Sequence, residues 1–179
     1  MTTVSHAFSP KWRRTWATLS LLFGLVVLSG CTKAPTAPAS SFLLLDGQTT
    51  TMAALKGKVV LVNFWATTCV SCVAEMPELV DTYHRFAAQG FETVAVAMSY
   101  DPPAYVTRFA QSRQLPFKVA IDHDGQVAKA WDDVRLTPTS FLVNAKGEIV
   151  KRYVGPPNFE ALHQLIADLI AQGQETKRS

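Results

Sequence analysis

The stretch Val59-Val-Leu-Val-Asn-Phe-Trp-Ala-Thr-Thr-Cys69-Val-Ser-Cys72-Val-Ala-Glu-Met-Pro77 decides how this chain reads. The near-continuous apolar run from Val59 to Phe64 suits a strand covered on both faces. It leads into two cysteines at the mouth of a helix. A thiol there sits in the positive end of the helix dipole, which favours the thiolate, the nucleophile of disulfide exchange. Two cysteines three apart can also close on each other after the first has attacked. As residues alone, the pair is an exchange couple, a passive disulfide or half of a zinc site. Zinc usually wants four ligands, and His84, His123 and His163 show no ligand spacing, so neither metal nor cofactor is expected.

Outward from this stretch the elements alternate. Phe42 to Leu45 with Asp46-Gly47 reads as a short strand and turn. The helix opening near Cys69 runs towards Gln89, with Gly90 as its stop and Pro77 expected to kink it. Phe91 to Met98 is the next strand. Asp101 is the expected N-cap of a helix reaching about Arg113, with prolines in its first turn. Phe117 to Ile121 is a strand and Val127 to Trp131 a short helix. Thr139 to Val143, Asn144-Ala-Lys-Gly147 and Glu148 to Val154 form a hairpin. A last helix from Asn158 to about Ala171 is apolar at Leu162, Leu165, Ile166, Leu169 and Ile170. This order implies an α/β sandwich with a central mixed β-sheet flanked by helices. About 130 residues bury enough core to be stable without the disulfide. Trp65 is expected both to pack and to wall the site, with a purely structural role as the alternative. Trp131 and Tyr100 receive no functional assignment, aromatic residues near a strand end being more often packing, and Asp132-Asp133 is expected to be a solvated turn.

The two ends read differently from the middle. Lys11, Arg13 and Arg14 precede a 13-residue apolar run, Trp16 to Leu28, too short to span a bilayer but right for the core of a signal peptide. Leu28-Ser29-Gly30-Cys31 resembles the bacterial lipobox, which implies acylation of Cys31 as the first mature residue. An ordinary secretory signal or an uncleaved anchor is the alternative. Either way the domain lies outside the cytoplasm, where disulfides persist. If Cys31 carries lipid, the remaining cysteines are one pair. Of 17 basic residues three lie before Cys31, leaving 14 against 14 acidic ones, and that balance gives no footprint for nucleic acid. The expected organisation is a signal peptide over 1–30, a flexible small, polar, Pro-bearing tether over 31–41, a domain over 42–172 and a polar tail over 173–179.

The strand, Trp65-Ala66, the Cys-x-x-Cys, Glu75-Met76-Pro77 and the later Thr137-Pro138-Thr139 together resemble the thioredoxin fold, and more narrowly the membrane-tethered TlpA/ResA-type thiol-disulfide oxidoreductases. The resemblance spans about 42–172. It implies a cis peptide at Thr137-Pro138 placed against the disulfide, against the alternative of a trans proline that starts a strand. X-Pro is the bond where cis costs only about 0.5–1 kcal/mol. It also implies that Cys69 is the exposed attacking sulfur and Cys72 the buried resolving one. Thioredoxins proper carry a buried Asp at the position of Asn63, which cannot titrate; similar TlpA/ResA-type proteins place an acid at the Glu75 position. Glu75 is therefore expected to manage protons for Cys72, with a pKa raised by partial burial, or else to be a surface residue of the helix. Two departures stand out: Thr68 replaces the family's common Trp, and Ser71 its Pro.

The resemblance implies a lipid-anchored protein of the bacterial cell envelope, facing the periplasm. It would reduce disulfides in client proteins and be reset by an upstream membrane thiol donor. Two other functions share the fold. A thiol peroxidase wants Thr or Ser three residues before its cysteine and a Pro further back, where this chain has Ala66 and Leu61. A copper chaperone usually spaces its cysteines by three residues and adds a ligand His.

Overall fold

The computed structural model describes residues 34–178. The signal segment and Cys31 lie outside them. The elements follow as β1 Ser41–Leu43, β2 Thr49–Thr51, β3 Val59–Trp65, α1 Val70–Phe86, a 3-10 turn Ala87–Gln89, β4 Phe91–Ala97, α2 Pro103–Ser112, β5 Lys118–Ile121, α3 Gln126–Ala130, β6 Thr139–Val143, β7 Ile149–Val154 and α4 Phe159–Arg178. The main sheet runs β5-β4-β3-β6-β7; β3, β4 and β5 are parallel, and β6 and β7 complete it antiparallel. This is the mixed sheet with flanking helices that the order of elements implied.

β3 is central, and every residue in it is buried. Its side chains alternate between two cores, as a pleated strand requires. Val59, Leu61 and Trp65 face Met76, Leu79, Val106, Leu162 and Ile166 from the long helices. Val60, Val62 and Phe64 face Phe42, Trp131 and Phe141. The Trp131 ring stands 5.1 Å from Phe141 and 6.2 Å from Phe64. Gly90 ends the helical stretch with φ at +99°, the left-handed conformation glycine adopts without strain.

Three boundaries differ from the sequence reading. Residues 34–41 do not behave as a free tether. Ala37 N–H donates to Gly147 O at 2.9 Å and Ile149 N–H to Pro35 O at 2.7 Å. Buried Ser40 accepts the Trp131 indole N–H at 2.9 Å, and Ser41 already opens β1. A Pro-bearing segment still offers its carbonyls, and the β6–β7 turn uses them. The polar tail expected from 173 is helical, because α4 continues to Arg178. Gln, Glu, Lys and Arg are good helix formers even where no apolar face remains. Asp101 does not cap α2: Pro102 holds the N-cap position without any side-chain bond. The Asp101 carboxylate is used elsewhere.

Candidate active site

Trp65 ends β3, and residues 66–69 turn the chain into α1. Cys69 is the N-cap residue, with extended backbone (φ −86°, ψ 105°), and its sulfur accepts the Cys72 N–H at 3.2 Å. Cys69 and Cys72 are joined in a disulfide. The two sulfurs are not equivalent. Cys69 is partly exposed, whereas Cys72, one turn inside, is fully buried. No acidic residue lies in the first turn of α1, so nothing there opposes the positive helix end at Cys69. Ser71, in place of a proline, brings its hydroxyl to 3.5 Å from the Cys69 sulfur.

Glu75 follows Cys72 by three residues and points inward to the same side. It is 3 % exposed. Burial raises its pKa from the ordinary 4.5 to about 7, and the hydrogen bond from Asn63 offsets part of the rise. Asn63 Nδ2 donates to Glu75 Oε1 at 2.9 Å and to Ser140 Oγ at 2.9 Å. Asn63 does not titrate, yet it is the residue that touches the acid.

The Thr137-Pro138 peptide is cis. Thr139 pairs with Phe64 in the register of β6 on β3, which sets the proline turn at the end of the sheet where β3 delivers the cysteine loop. Pro138 O accepts Gly155 N–H at 2.8 Å, and the Thr139 hydroxyl donates to Leu136 O at 2.7 Å, so the turn is fixed on both sides. Among the described residues, no three His, Cys, Asp or Glu side chains are grouped to hold a metal ion.

Two residues of this end were not legible as site residues. Asp101 is buried, and its carboxylate accepts Thr67 N–H at 2.6 Å and the Thr67 hydroxyl at 2.6 Å, stapling the cysteine loop. The Tyr100 hydroxyl lies 3.4 Å from the Thr137 hydroxyl, with the ring 59 % exposed. The loop after β4 thus touches both halves of the site. Nothing in the sequence marks Asp101 for Thr67 rather than for the helix it precedes. Trp65, in contrast, is fully buried against Phe109 at 5.2 Å, so it packs under the site and does not wall it.

The redoxin family pattern matches residues 32–166. The chain belongs to the redoxin family. Within it, this redoxin is 38% identical over 138 residues to the thiol-disulfide oxidoreductase ResA of Bacillus subtilis, covering 76% of this chain and 75% of that one. To ResA of Halalkalibacterium halodurans it is 34% identical over 158 residues, covering 81% and 89%. Its structure is similar to that of a thiol:disulfide interchange protein of the thioredoxin family from Chlorobium tepidum, with a TM-score of 0.71, 26% identity, and coverage of 77% and 97%. The redoxin is a thiol-disulfide oxidoreductase of the ResA type, and its exchange chemistry runs through the Cys69–Cys72 pair.

Proposed function

We propose that this redoxin is a membrane-tethered, extracytoplasmic reductase of client-protein disulfides. The observation that carries this reading is the unequal exposure of the two sulfurs at the mouth of α1. In the reduced protein the Cys69 thiolate attacks one sulfur of a client disulfide; that S–S bond breaks, a mixed disulfide forms on Cys69, and the client's other sulfur leaves as a thiolate. Cys72 gives its proton to Glu75 and attacks the Cys69 sulfur. The second client thiolate then leaves, and two electrons have passed to the client. An upstream membrane thiol donor returns the pair to the dithiol. The Thr137 backbone beside Pro138 pairs with the extended client segment during attack.

The test is Cys72→Ser. It keeps the first step and removes the second, so each molecule should stall after one attack, with the client held covalently on Cys69. A mixed disulfide recovered from cells and released by dithiothreitol is the expected result; no covalent partner on Cys72→Ser, with the Cys69 thiol free, rejects the exchange cycle.

The tether is Cys31, acylated after cleavage of residues 1–30. One acyl chain binds membranes marginally, and firm anchoring takes two or more such signals. Metabolic fatty-acid labelling should mark the wild type and not Cys31→Ser. Equal label on both rejects lipidation at this residue. Among the described residues no helix is long and apolar enough to cross a membrane.

A further inference from the structure

Asn63 sits mid-way along β3 on the face that α1 covers, directly opposite Ser140 in the pairing with β6. It is fully buried, as are Ser140 and Glu75 nearly so. Its amide nitrogen has two hydrogens, and both are used: one on Glu75 Oε1, the other on Ser140 Oγ. In this orientation the amide nitrogen faces both acceptors, the one arrangement that serves an ionised Glu75 as well as a protonated one. Two atoms are left over, Asn63 Oδ1 and Glu75 Oε2, both buried, both acceptors and both without a partner. Buried polar atoms are rarely left unpaired, and two on side chains already bonded to each other need an account.

An amide and a carboxylate joined through one hydrogen bond are one proton short of a second. A proton on Glu75 Oε2 converts one orphaned acceptor into a donor for the other. We propose that Asn63 and Glu75 form an acid–amide pair in the disulfide state: Glu75 holds its proton on Oε2, Asn63 Oδ1 accepts it, and Ser140 holds the amide in the orientation this requires. Asn63 is thereby a positioning residue for the exchange reaction, acting through Glu75. The raised pKa of Glu75 agrees, and no charged side chain contributes to it. Asn63 and Ser140 belong to this hydrogen-bonded network from the sheet, and Cys72 precedes Glu75 by one turn on α1; of these three only the cysteine can titrate, and the disulfide removes its proton.

The pair gives the proton of Cys72 somewhere to stay. As the intramolecular disulfide closes, the Cys72 thiol transfers its proton to the Glu75 carboxylate and the S–S bond forms to Cys69. When the upstream thiol donor reopens that bond, the Cys72 thiolate takes the proton back. The proton is thus stored through the oxidised half of the cycle without crossing to water. This use rests on Glu75 serving Cys72, whereas the pair itself can be tested apart from it.

The test uses the full-length oxidised protein. Its infrared spectrum should show a protonated-carboxyl stretch at about pH 5, absent from Glu75→Gln and fading as pH rises through about 7. In Asn63→Leu, which keeps the volume and removes both bonds, the band should move to higher frequency. Thermal unfolding supplies a second arm that does not depend on Asn63→Leu folding. Glu75 binds its proton more tightly folded than unfolded, so its stabilising contribution is full below about 4.5 and is lost as pH rises through about 7. Glutamine carries a permanent donor at the same place and escapes that loss. Glu75→Gln should match the wild type at about pH 5 and melt higher at about pH 9. A missing band at the acid end, a band unmoved by Asn63→Leu, or a Glu75→Gln that melts no higher than wild type at the alkaline end overturns the pair. A band present as expected, with Cys72 titration and exchange rate unchanged in Glu75→Gln, overturns the proton store and the role of Glu75 on which it rests, and leaves the pair standing.

Discussion

Serine in place of Cys69 is expected to take disulfide exchange to background, a loss of about 10⁴-fold or more, the scale on which enzymes lose activity with their covalent nucleophile. The chemistry runs through a thiolate, and a hydroxyl at this position does not ionise near neutral pH. Cys72 cannot stand in, because it is fully buried and its backbone N–H faces the first residue of the motif instead of a client. The substitution is also clean. Serine is a preferred N-cap residue and can accept the Cys72 N–H that the sulfur accepts now, so α1 should begin at the same place. Turnover of a small disulfide substrate, driven by an external dithiol, checks this. Retention of more than about 1 % of the wild-type rate would mean that the second cysteine can attack, and the assignment of roles would be wrong.

Alanine at Phe64 should destabilise the domain by about 3–5 kcal/mol, the range for emptying a buried aromatic site. Phe64 is fully buried near the end of β3, with the rings of Trp131 and Phe141 at 6.2 and 6.1 Å. Both neighbours are held by other elements: Trp131 is tied to Ser40, and Phe141 lies in β6. They cannot collapse into the space without unpicking those bonds. For a domain of this size the change corresponds to a fall in melting temperature of about 10 °C or more. Phe64→Leu, which keeps most of the volume, should cost about 1.5 kcal/mol or less. Calorimetry at neutral pH measures both, and an alanine variant as stable as the leucine one would show that this core repacks freely. Below its melting range Phe64→Ala should keep the exchange reaction, because Phe64 faces the core opposite to the one under α1.

The central strand and the helix of the cysteines were plain in the sequence because their signals are local. An apolar run, a Cys-x-x-Cys and a glycine stop each act within a few residues of themselves, and β3, α1 and Gly90 fall where those signals put them. The alternation along β3 could have settled Trp65 as well, since it shares parity with Val59 and Leu61 and so lies under the helices. What stayed hidden depends on partners far along the chain. Asp101 looks like a helix cap because it precedes two prolines, yet Thr67, 34 residues earlier, offers its carboxylate both an N–H and a hydroxyl. Residues 34–41 look free by composition, and the hairpin turn that receives them arrives about a hundred residues later. Asn63 could be set aside as unable to titrate, but its hydrogen bonds make it the neighbour that matters to Glu75. The polar end of α4 has no apolar stripe to announce a helix; it extends one already nucleated and docked through Leu162, Ile166, Leu169 and Ile170.

Only one sulfur of the couple faces outward, and this restricts traffic in both directions. A reducing thiol arriving to reset the protein must strike the same atom that later strikes the client, and each visitor leaves before the next can dock. Donor and client therefore compete for a single doorway and never meet on it. Steady-state rates with both varied should give the parallel reciprocal plots of a ping-pong scheme, and the protein acts as a shuttle between partners that need never recognise each other.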